Sequence, residues 1–130
     1  MLDTHVWVWG HTDPDRLGKR LARALEDPAT ELWLSPISVW EFLVLAEKGR
    51  VRVPRGTAAG EWVDTALTRV PMHEAPLNRE VAIRSRTVAL AHDDPADRFL
   101  AATADVYDLA LATADRRLLA GRGFRTVPNR

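Results

Sequence analysis

The chain has 130 residues, which fits one domain, and we expect a single domain over residues 1–130. Its 18 basic and 18 acidic side chains give a formal net charge of zero, which excludes strong nonspecific adhesion to nucleic acid through the field of the whole molecule. The absence of cysteine excludes disulfides and thiolate metal sites, and no stretch reaches the roughly 18 apolar residues of a membrane helix.

The N-terminal part of the chain predicts a short strand and a helix. Met1 and Leu2 read as a very short strand, which is followed by the segment 4–9. A helix then carries an apolar face, and Asp13 or Asp15 is expected to cap it. The apolar positions of that face are Leu17, Leu21, Ala24 and Leu25. No basic, apolar leader opens the chain, so we expect a cytoplasmic protein.

The middle of the chain predicts one further strand and three helices. Residues 32–34 form the strand, and the next helix is expected to begin around Ser38 and to stop at Gly49. Pro54 and Gly56 mark a loop. Two helices follow, separated by prolines at 71 and 76, and their apolar positions have helical spacing. Those positions are Trp62, Val63, Ala66 and Leu67 in the first, and Leu77, Val81, Ser85 and Val88 in the second.

The C-terminal part completes an alternating pattern. Asp94-Pro95 begins a helix, 109–112 reads as a buried strand, 115–120 as a short helix and 124–127 as a final strand. Alternating strands and helices favour an α/β fold with a mostly parallel sheet. Ligands of such sheets lie beyond the carboxyl ends of the strands.

Four acids stand where an apolar run meets the start of a helix. They are Asp3, Glu41, Asp97 and Asp115. A carboxylate stranded near a core costs several kcal/mol unless a cation meets it, on the order expected for any unpaired buried ion. If the fold brings all four to one sheet edge, their oxygens form a hard-cation site for Mg²⁺, with Mn²⁺ as a possible substitute.

Each acid also has a purely structural explanation. Ser38 and Glu41 match a capping box, although Glu41 is the only charge in the apolar stretch 39–46. Asp97 stands at the third position of a helix capped by Asp94, where a negative charge interacts favourably with the helix dipole. Asp115 could simply cap the helix that follows it.

Four stretches, in order, resemble the PIN-domain ribonucleases, and within them the VapC toxins of bacterial toxin–antitoxin pairs. They are LDTHVWVW at 2–9, SPISVWEFLVLAEKGR at 35–50, DPADRFLAATA at 94–104 and LALATADRRL at 109–118. The resemblance implies that the four acids are the catalytic, metal-holding residues. Only two hydrophobic residues precede Asp3, fewer than in most relatives. If the native chain begins at Met1, we expect a frayed first strand and Asp3 to be the least firmly positioned of the four.

The same resemblance implies a three-layer fold with a central, mostly parallel sheet flanked by helices. It also implies Mg²⁺-dependent endonucleolytic cleavage of RNA, a homodimer and inhibition by a cognate VapB-like antitoxin, with no membrane involved. A catalytically silent PIN module that only binds RNA or protein is the alternative.

Several side chains beside the acids are candidates for contact with substrate. Thr113 could bind a phosphate oxygen, although a buried hydroxyl satisfied inside the protein is the simpler interpretation. Arg98, Arg116 and Arg117 could contact RNA phosphates or remain ordinary surface groups. Tryptophans could pack in the core or form an apolar groove for the antitoxin, and the apolar helix around Trp40 favours partner contact there.

Other classes of protein fit the sequence less well. A phosphoacceptor receiver domain needs an acidic pair after its first strand and a late lysine, whereas Asp3 stands alone and no lysine follows Lys48. Haloacid-type phosphatases need Asp-x-Asp, and here His5 takes the second position. The four histidines lack the paired spacing of zinc ligands.

Overall fold

The computed structural model describes residues 1–130 and consists mainly of helices around a small sheet. The α-helices are α1 (Thr4–Thr12), α2 (Lys19–Glu26), α3 (Pro36–Glu47), α4 (Ala59–Arg69), α5 (Arg79–Ser85), α6 (Pro95–Val106) and α7 (Arg116–Leu119). The strands are β1 (Trp33–Leu34), β2 (His73–Glu74), β3 (Ala110–Thr113) and β4 (Arg125–Pro128), and a single 3₁₀ turn covers Pro14–Arg16. None of the helices is long and apolar enough to cross a membrane.

The strands pair in parallel, with the N-terminus between them. β1 pairs with β2, and β3 pairs with β4. Leu2 joins the two pairs, because its amide donates to the Trp33 carbonyl oxygen (3.0 Å) and it forms a parallel bridge with Ala112. The spatial order is therefore β2, β1, the Met1–Leu2 segment, β3 and β4. The predicted α/β class and parallel sheet are confirmed.

Helices cover both faces of this sheet. Successive residues of a strand point to opposite faces, so Met1 and Leu111 enter one apolar cluster while Leu2 and Ala112 enter the other. The first cluster also contains side chains of α6 and α7, and the second contains side chains of α1, α3 and α4. This arrangement confirms the three-layer fold.

An aromatic group lies at the centre of the second cluster. Phe42 stacks on Trp62 with ring centroids 4.3 Å apart, and Trp7 meets both rings edge-on. These aromatics are therefore core residues, as the core interpretation of the tryptophans predicts. Trp40 points the other way and is 55% exposed, so its expected contact with a partner stays a prediction.

Two predicted helix starts are wrong. Helix α2 follows Gly18 rather than a capping Asp13 or Asp15, because Pro14 first drives the chain into the 3₁₀ turn. Helix α3 begins two residues before Ser38, where Ser35 accepts a hydrogen bond from the Ile37 amide (3.1 Å).

The carboxyl ends of three parallel segments meet at one edge of the sheet. Asp3 follows the Met1–Leu2 segment, Ser35 follows β1, and Thr113 ends β3 and leads to Asp115. Parallel strands end on the same side, so helices α1, α3 and α7 all start at this edge. The fold thus brings sequence positions more than a hundred residues apart to one place.

Candidate active site

Asp3 is held at the sheet edge by a buried hydroxyl. The residue is only 6% exposed, and its Oδ2 accepts a hydrogen bond from Thr113 Oγ1 (2.7 Å). Burial raises the pKa of Asp3, and the negative charge of Asp97 raises it further, although the Thr113 hydrogen bond works in the opposite direction. Asp3 thus carries its negative charge where solvent does little to stabilise it.

Glu41 faces the same edge from the second turn of α3. Its Oε1 accepts a hydrogen bond from Thr4 Oγ1 (2.6 Å). Burial raises the pKa of Glu41 to about 7, and the charges of Asp3, Asp97 and Asp94 contribute to the rise. Near neutral pH this side chain is therefore divided between its protonated and ionised forms.

The capping-box explanation of Glu41 is wrong. Ser38 lies inside α3 rather than at its cap, and its side chain is fully buried against the Thr4 hydroxyl (3.1 Å). Because Ser35 already caps the helix, Glu41 does not reach back to an amide at the helix start. Its only hydrogen bond is the one from Thr4.

Asp97 stands at the third position of α6, as predicted. Its amide donates to Oδ1 of the N-cap residue Asp94 (3.0 Å), and its own Oδ2 lies 2.8 Å from His92 Nε2. Burial raises the pKa of Asp97, and the charges of Asp94 and Asp115 add to that effect while the His92 contact lowers it. An ionised carboxylate only accepts, so in that state Nε2 carries the proton. The sequence analysis missed His92, because nothing in its spacing marks it.

Asp115 caps α7, and Arg117 covers it. Asp115 Oδ1 accepts from the Arg117 amide (2.7 Å), while Arg117 Nη2 lies 3.1 Å from Asp115 Oδ2 and 3.5 Å from Asp97 Oδ2. Burial alone would raise the pKa of Asp115, but the hydrogen bonds and charge of Arg117 hold it below its usual value. The predicted cap is confirmed. Asp115 caps α7 and also lies close to Asp97, since Arg117 contacts both acids.

Thr113 connects two of the acids instead of facing solvent. Its hydroxyl donates to Asp3 Oδ2 and accepts from the Asp115 amide (3.0 Å), and its side chain is fully buried. Both functions of the hydroxyl are therefore used within the protein. This placement contradicts direct contact of Thr113 with substrate and assigns it the positioning of Asp3 and Asp115.

The placement of Arg98 also contradicts a contact with RNA phosphates. A helix turns about 100° per residue, so Arg98 points inward although it follows Asp97 directly. It is only 7% exposed, and its guanidinium donates to backbone carbonyls of the segment that leads to α6. These bonds go to Ser85 (2.8 Å), Val88 (3.1 Å), Leu90 (3.4 Å) and His92 (3.2 Å).

Arg98 instead fixes the backbone that carries His92, while Arg116 remains open. Arg116 is exposed on α7 and makes no side-chain hydrogen bond or ion pair. Its guanidinium is free to meet an incoming anion, so its contact with phosphate stays a prediction.

The oxygens of this edge suit a hard divalent cation, although they do not yet converge on one point. Negative charges among the four acids raise the pKa values of their neighbours Asp3, Glu41 and Asp97. Arg117 is the only arginine or lysine in contact with the four acids. Carboxylate oxygens are the ligands that Mg²⁺ and Mn²⁺ prefer. No group of three acidic or histidine side chains stands close enough as arranged here to chelate an ion. In this conformation each acid has at least one oxygen that accepts a hydrogen bond from the protein itself.

The chain is similar to known proteins over nearly its whole length. The PIN domain family model matches residues 1–122. The chain is 33% identical to Ribonuclease VapC22 of Mycobacterium tuberculosis over 130 residues, covering 98% of this chain and 95% of that protein. A crystal structure of VapBC2 from Rickettsia felis, bound to a DNA fragment from their promoter, superposes with a TM-score of 0.69 at 15% identity. That alignment covers 98% of this chain and 96% of the other.

Proposed function

Because this chain belongs to the PIN-domain family, and within it to the VapC proteins, we propose that it is a metal-dependent endoribonuclease and the toxin of a toxin–antitoxin pair. The single observation that carries the proposal is the meeting of Asp3, Glu41 and Asp97 from three separate segments at one sheet edge. Each of them has a pKa raised by burial and by the charge of its neighbours. Acids that are crowded together with pKa values raised in this way are typical of functional sites.

In this proposal the four acids hold Mg²⁺, for which Mn²⁺ is a possible substitute. A bound divalent ion polarises the phosphate, lowers the pKa of water and stabilises the leaving oxygen of a phosphodiester. The resemblance to VapC nucleases implies products with a 5′-phosphate and a 3′-hydroxyl. The whole of residues 1–130 acts as one domain.

The chain's own polar residues prepare the acids for this role. The Thr4 hydroxyl has one proton, which at 2.6 Å goes to Glu41 Oε1, so the Ser38 hydroxyl donates to Thr4 in turn. This chain of donors favours the ionised form of Glu41. Thr113 does the same for Asp3, and His92 for Asp97, so each of these three carboxylates is oriented by a neighbouring side chain before any ligand arrives.

The partners of the proposed enzyme follow from its relatives. RNA is the substrate, with Arg116 as a contact to its phosphates, and a VapB-like antitoxin is the inhibitor. The active form is a homodimer in the cytoplasm, and the exposed Trp40 is a candidate for burial against a partner.

A catalytically silent RNA- or protein-binding module is the second candidate. The observation in its favour is that no three acidic or histidine side chains are arranged to chelate an ion. The two candidates differ in whether RNA is cut or merely bound.

Mapping of RNA ends tests the proposal. The unmodified protein and Asp97→Asn are each incubated with RNA in Mg²⁺ or in EDTA, and new 5′ ends are mapped by sequencing. We expect cleavage only by the unmodified protein with Mg²⁺. Asp93→Asn is the matched control, because Asp93 is an exposed acid four residues earlier that makes no hydrogen bond with the four acids, and it should cut normally. Equal cleavage by Asp97→Asn would overturn the assignment of the site, and RNA binding without cleavage would establish the silent module.

A further inference from the structure

Arg117 holds two of the acids at once. Nη2 lies 3.1 Å from Asp115 Oδ2 and 3.5 Å from Asp97 Oδ2, and Nε lies 3.4 Å from Asp115 Oδ1. The same Asp115 Oδ1 also accepts the Arg117 backbone amide at 2.7 Å. One residue therefore engages both oxygens of Asp115 and bridges from there to Asp97.

The bridged acids come from different elements. Asp97 lies in the first turn of α6 and Asp115 caps α7, so the guanidinium joins two helix starts at the sheet edge. No other lysine or arginine contacts any of the four acids. Arg117 is thus the one permanently charged cationic side chain that contacts any of the four acids.

We propose that Arg117 is an internal competitor of the divalent ion, which holds Asp97 and Asp115 while no ion is bound and must give up these contacts before both can act as ligands. This inference rests on the proposed function, because it takes these two acids to be metal ligands. It makes Arg117 a positioning residue that sets how much metal the site requires.

The competition follows from the oxygens involved. Arg117 Nη2 lies within 3.5 Å of both Asp97 Oδ2 and Asp115 Oδ2, so an ion that bridged these two oxygens would take the place that Nη2 now holds. A guanidinium and a hard cation placed among the same carboxylates also repel each other. Both effects make the site bind metal less tightly than four free carboxylates would.

The position of Arg117 suits such displacement. Its side chain is 59% exposed, so it can swing into solvent without opening the core. Exposed ion pairs of this kind contribute little free energy, so the free-energy cost of releasing Arg117 is low. The contrast with Arg98, whose guanidinium is locked on carbonyls inside the protein, is clear.

Metal titration of the chain without RNA tests the inference. Mn²⁺ binding is measured by the electron paramagnetic resonance signal of the free ion, for the unmodified protein, Arg117→Gln, Arg117→Lys and Arg116→Gln. We expect Arg117→Gln to bind Mn²⁺ about three- to tenfold more tightly, the range that the loss of two weak ion pairs allows. Arg116→Gln removes the same charge one residue away without touching an acid, and it should bind Mn²⁺ within about twofold of the unmodified protein. Arg117→Lys should fall between these variants, because a single ammonium cannot bridge as the guanidinium fork does.

The possible results separate failure of the Arg117 inference from failure of the proposed function. Unchanged or weaker Mn²⁺ binding by Arg117→Gln would overturn the inference, as would an equal gain in Arg116→Gln, since general electrostatics would then explain the effect. Asp97→Asn is titrated in the same way and should bind Mn²⁺ more weakly than the unmodified protein. If the unmodified protein does not bind Mn²⁺, or if Asp97→Asn binds it equally well, the proposed function itself fails. A second measurement uses the unmodified protein alone and so does not depend on whether a variant folds. The ¹⁵Nε–¹H resonance of Arg117 should shift as Mg²⁺ is added, and the midpoint of this shift should equal the midpoint of Mg²⁺ binding. A resonance that stays in place while the ion binds would contradict the inference.

Discussion

The Thr4 hydroxyl oxygen lies 2.6 Å from Glu41 Oε1, so the first residue of α1 holds a carboxylate in the second turn of α3. Thr4 is fully buried, and its only side-chain partners are Glu41 and Ser38. The hydrogen bond opposes the burial that raises the pKa of Glu41 to about 7. The ionised form of Glu41, which the proposed metal site requires, is therefore favoured by a residue that does not itself reach the solvent.

Replacing Thr4 with valine should weaken both metal binding and cleavage. Valine keeps the shape of the side chain but removes the donor, and hydrogen bonds to charged groups contribute roughly 1.5–3 kcal/mol. We expect kcat/KM at subsaturating Mg²⁺ to fall by about tenfold or more, with a higher Mg²⁺ concentration at half-maximal rate. Thr4→Ser keeps the hydroxyl and should restore most of the activity. Normal Mg²⁺ dependence in Thr4→Val would show that Glu41 does not need this donor.

Asp115 allows its structural and functional roles to be separated. Asparagine caps a helix about as well as aspartate, whereas alanine loses the cap at a cost of about 1 kcal/mol. We expect Asp115→Asn to unfold in urea within about 0.5 kcal/mol of the unmodified protein, measured in EDTA, and Asp115→Ala to be about 1 kcal/mol less stable. Both variants should lose RNA cleavage. Full cleavage by Asp115→Asn would leave Asp115 as a cap alone.

Much of the site could be predicted from sequence because its acids sit at chain positions with strong local signals. Asp94-Pro95 predicted the start of α6 and its cap, and the structure confirms both. Placing Asp3 and Asp115 at one edge required only the rule that parallel strands end on one side of the sheet. That rule depends on topology and not on side-chain detail.

The features that were missed depend on tertiary contacts. Strand β2 is two exposed residues, His73–Glu74, held by backbone bonds to β1 and by contact of the His73 ring with Trp33, so no hydrophobic pattern marks it. Arg98 looks like a surface arginine beside an acid, and only the turn of α6 carries it inward. The start of α3 had a signal that was overlooked, since Ser35 directly precedes Pro36 at the first helical position.

Arg98 should behave as a structural residue. Its guanidinium donates to four buried or partly buried carbonyl groups, three of which would be left without a donor in Arg98→Met, because Val88 also accepts from the Leu90 amide. A buried polar group left unsatisfied costs about 1–3 kcal/mol, so we expect a loss of about 3 kcal/mol in the free energy of unfolding, measured by urea denaturation. Arg98→Lys should lose nearly as much, because lysine lacks the planar fork. Arg116→Gln, at an exposed position of α7, should keep normal stability. Normal stability together with weak RNA binding in Arg98→Met would instead restore Arg98 as a phosphate contact.

The stability of the protein should also depend on pH through His11. This side chain packs edge-on against Trp62, with ring centroids 5.7 Å apart. Burial lowers the pKa of His11 from its ordinary value of 6.5, and the positive charge of Arg69 lowers it further, while Glu26 lines the same cavity of about 190 Å³. The unfolded chain therefore binds a proton on this residue more readily than the folded protein does.

The sign of the effect follows from this difference in pKa. The contribution of neutral His11 is complete above pH 6.5 and is lost as the pH falls through 6.5 toward the lower pKa of the folded state. We expect the free energy of unfolding in EDTA, measured by tryptophan fluorescence in urea, to fall more between pH 7.5 and 5.5 in the unmodified protein than in His11→Phe. Phenylalanine keeps the aromatic packing but does not titrate, and the other acids and histidines are common to both proteins, so the difference isolates His11. An identical pH dependence would mean that His11 is protonated as easily in the folded protein as in the unfolded chain.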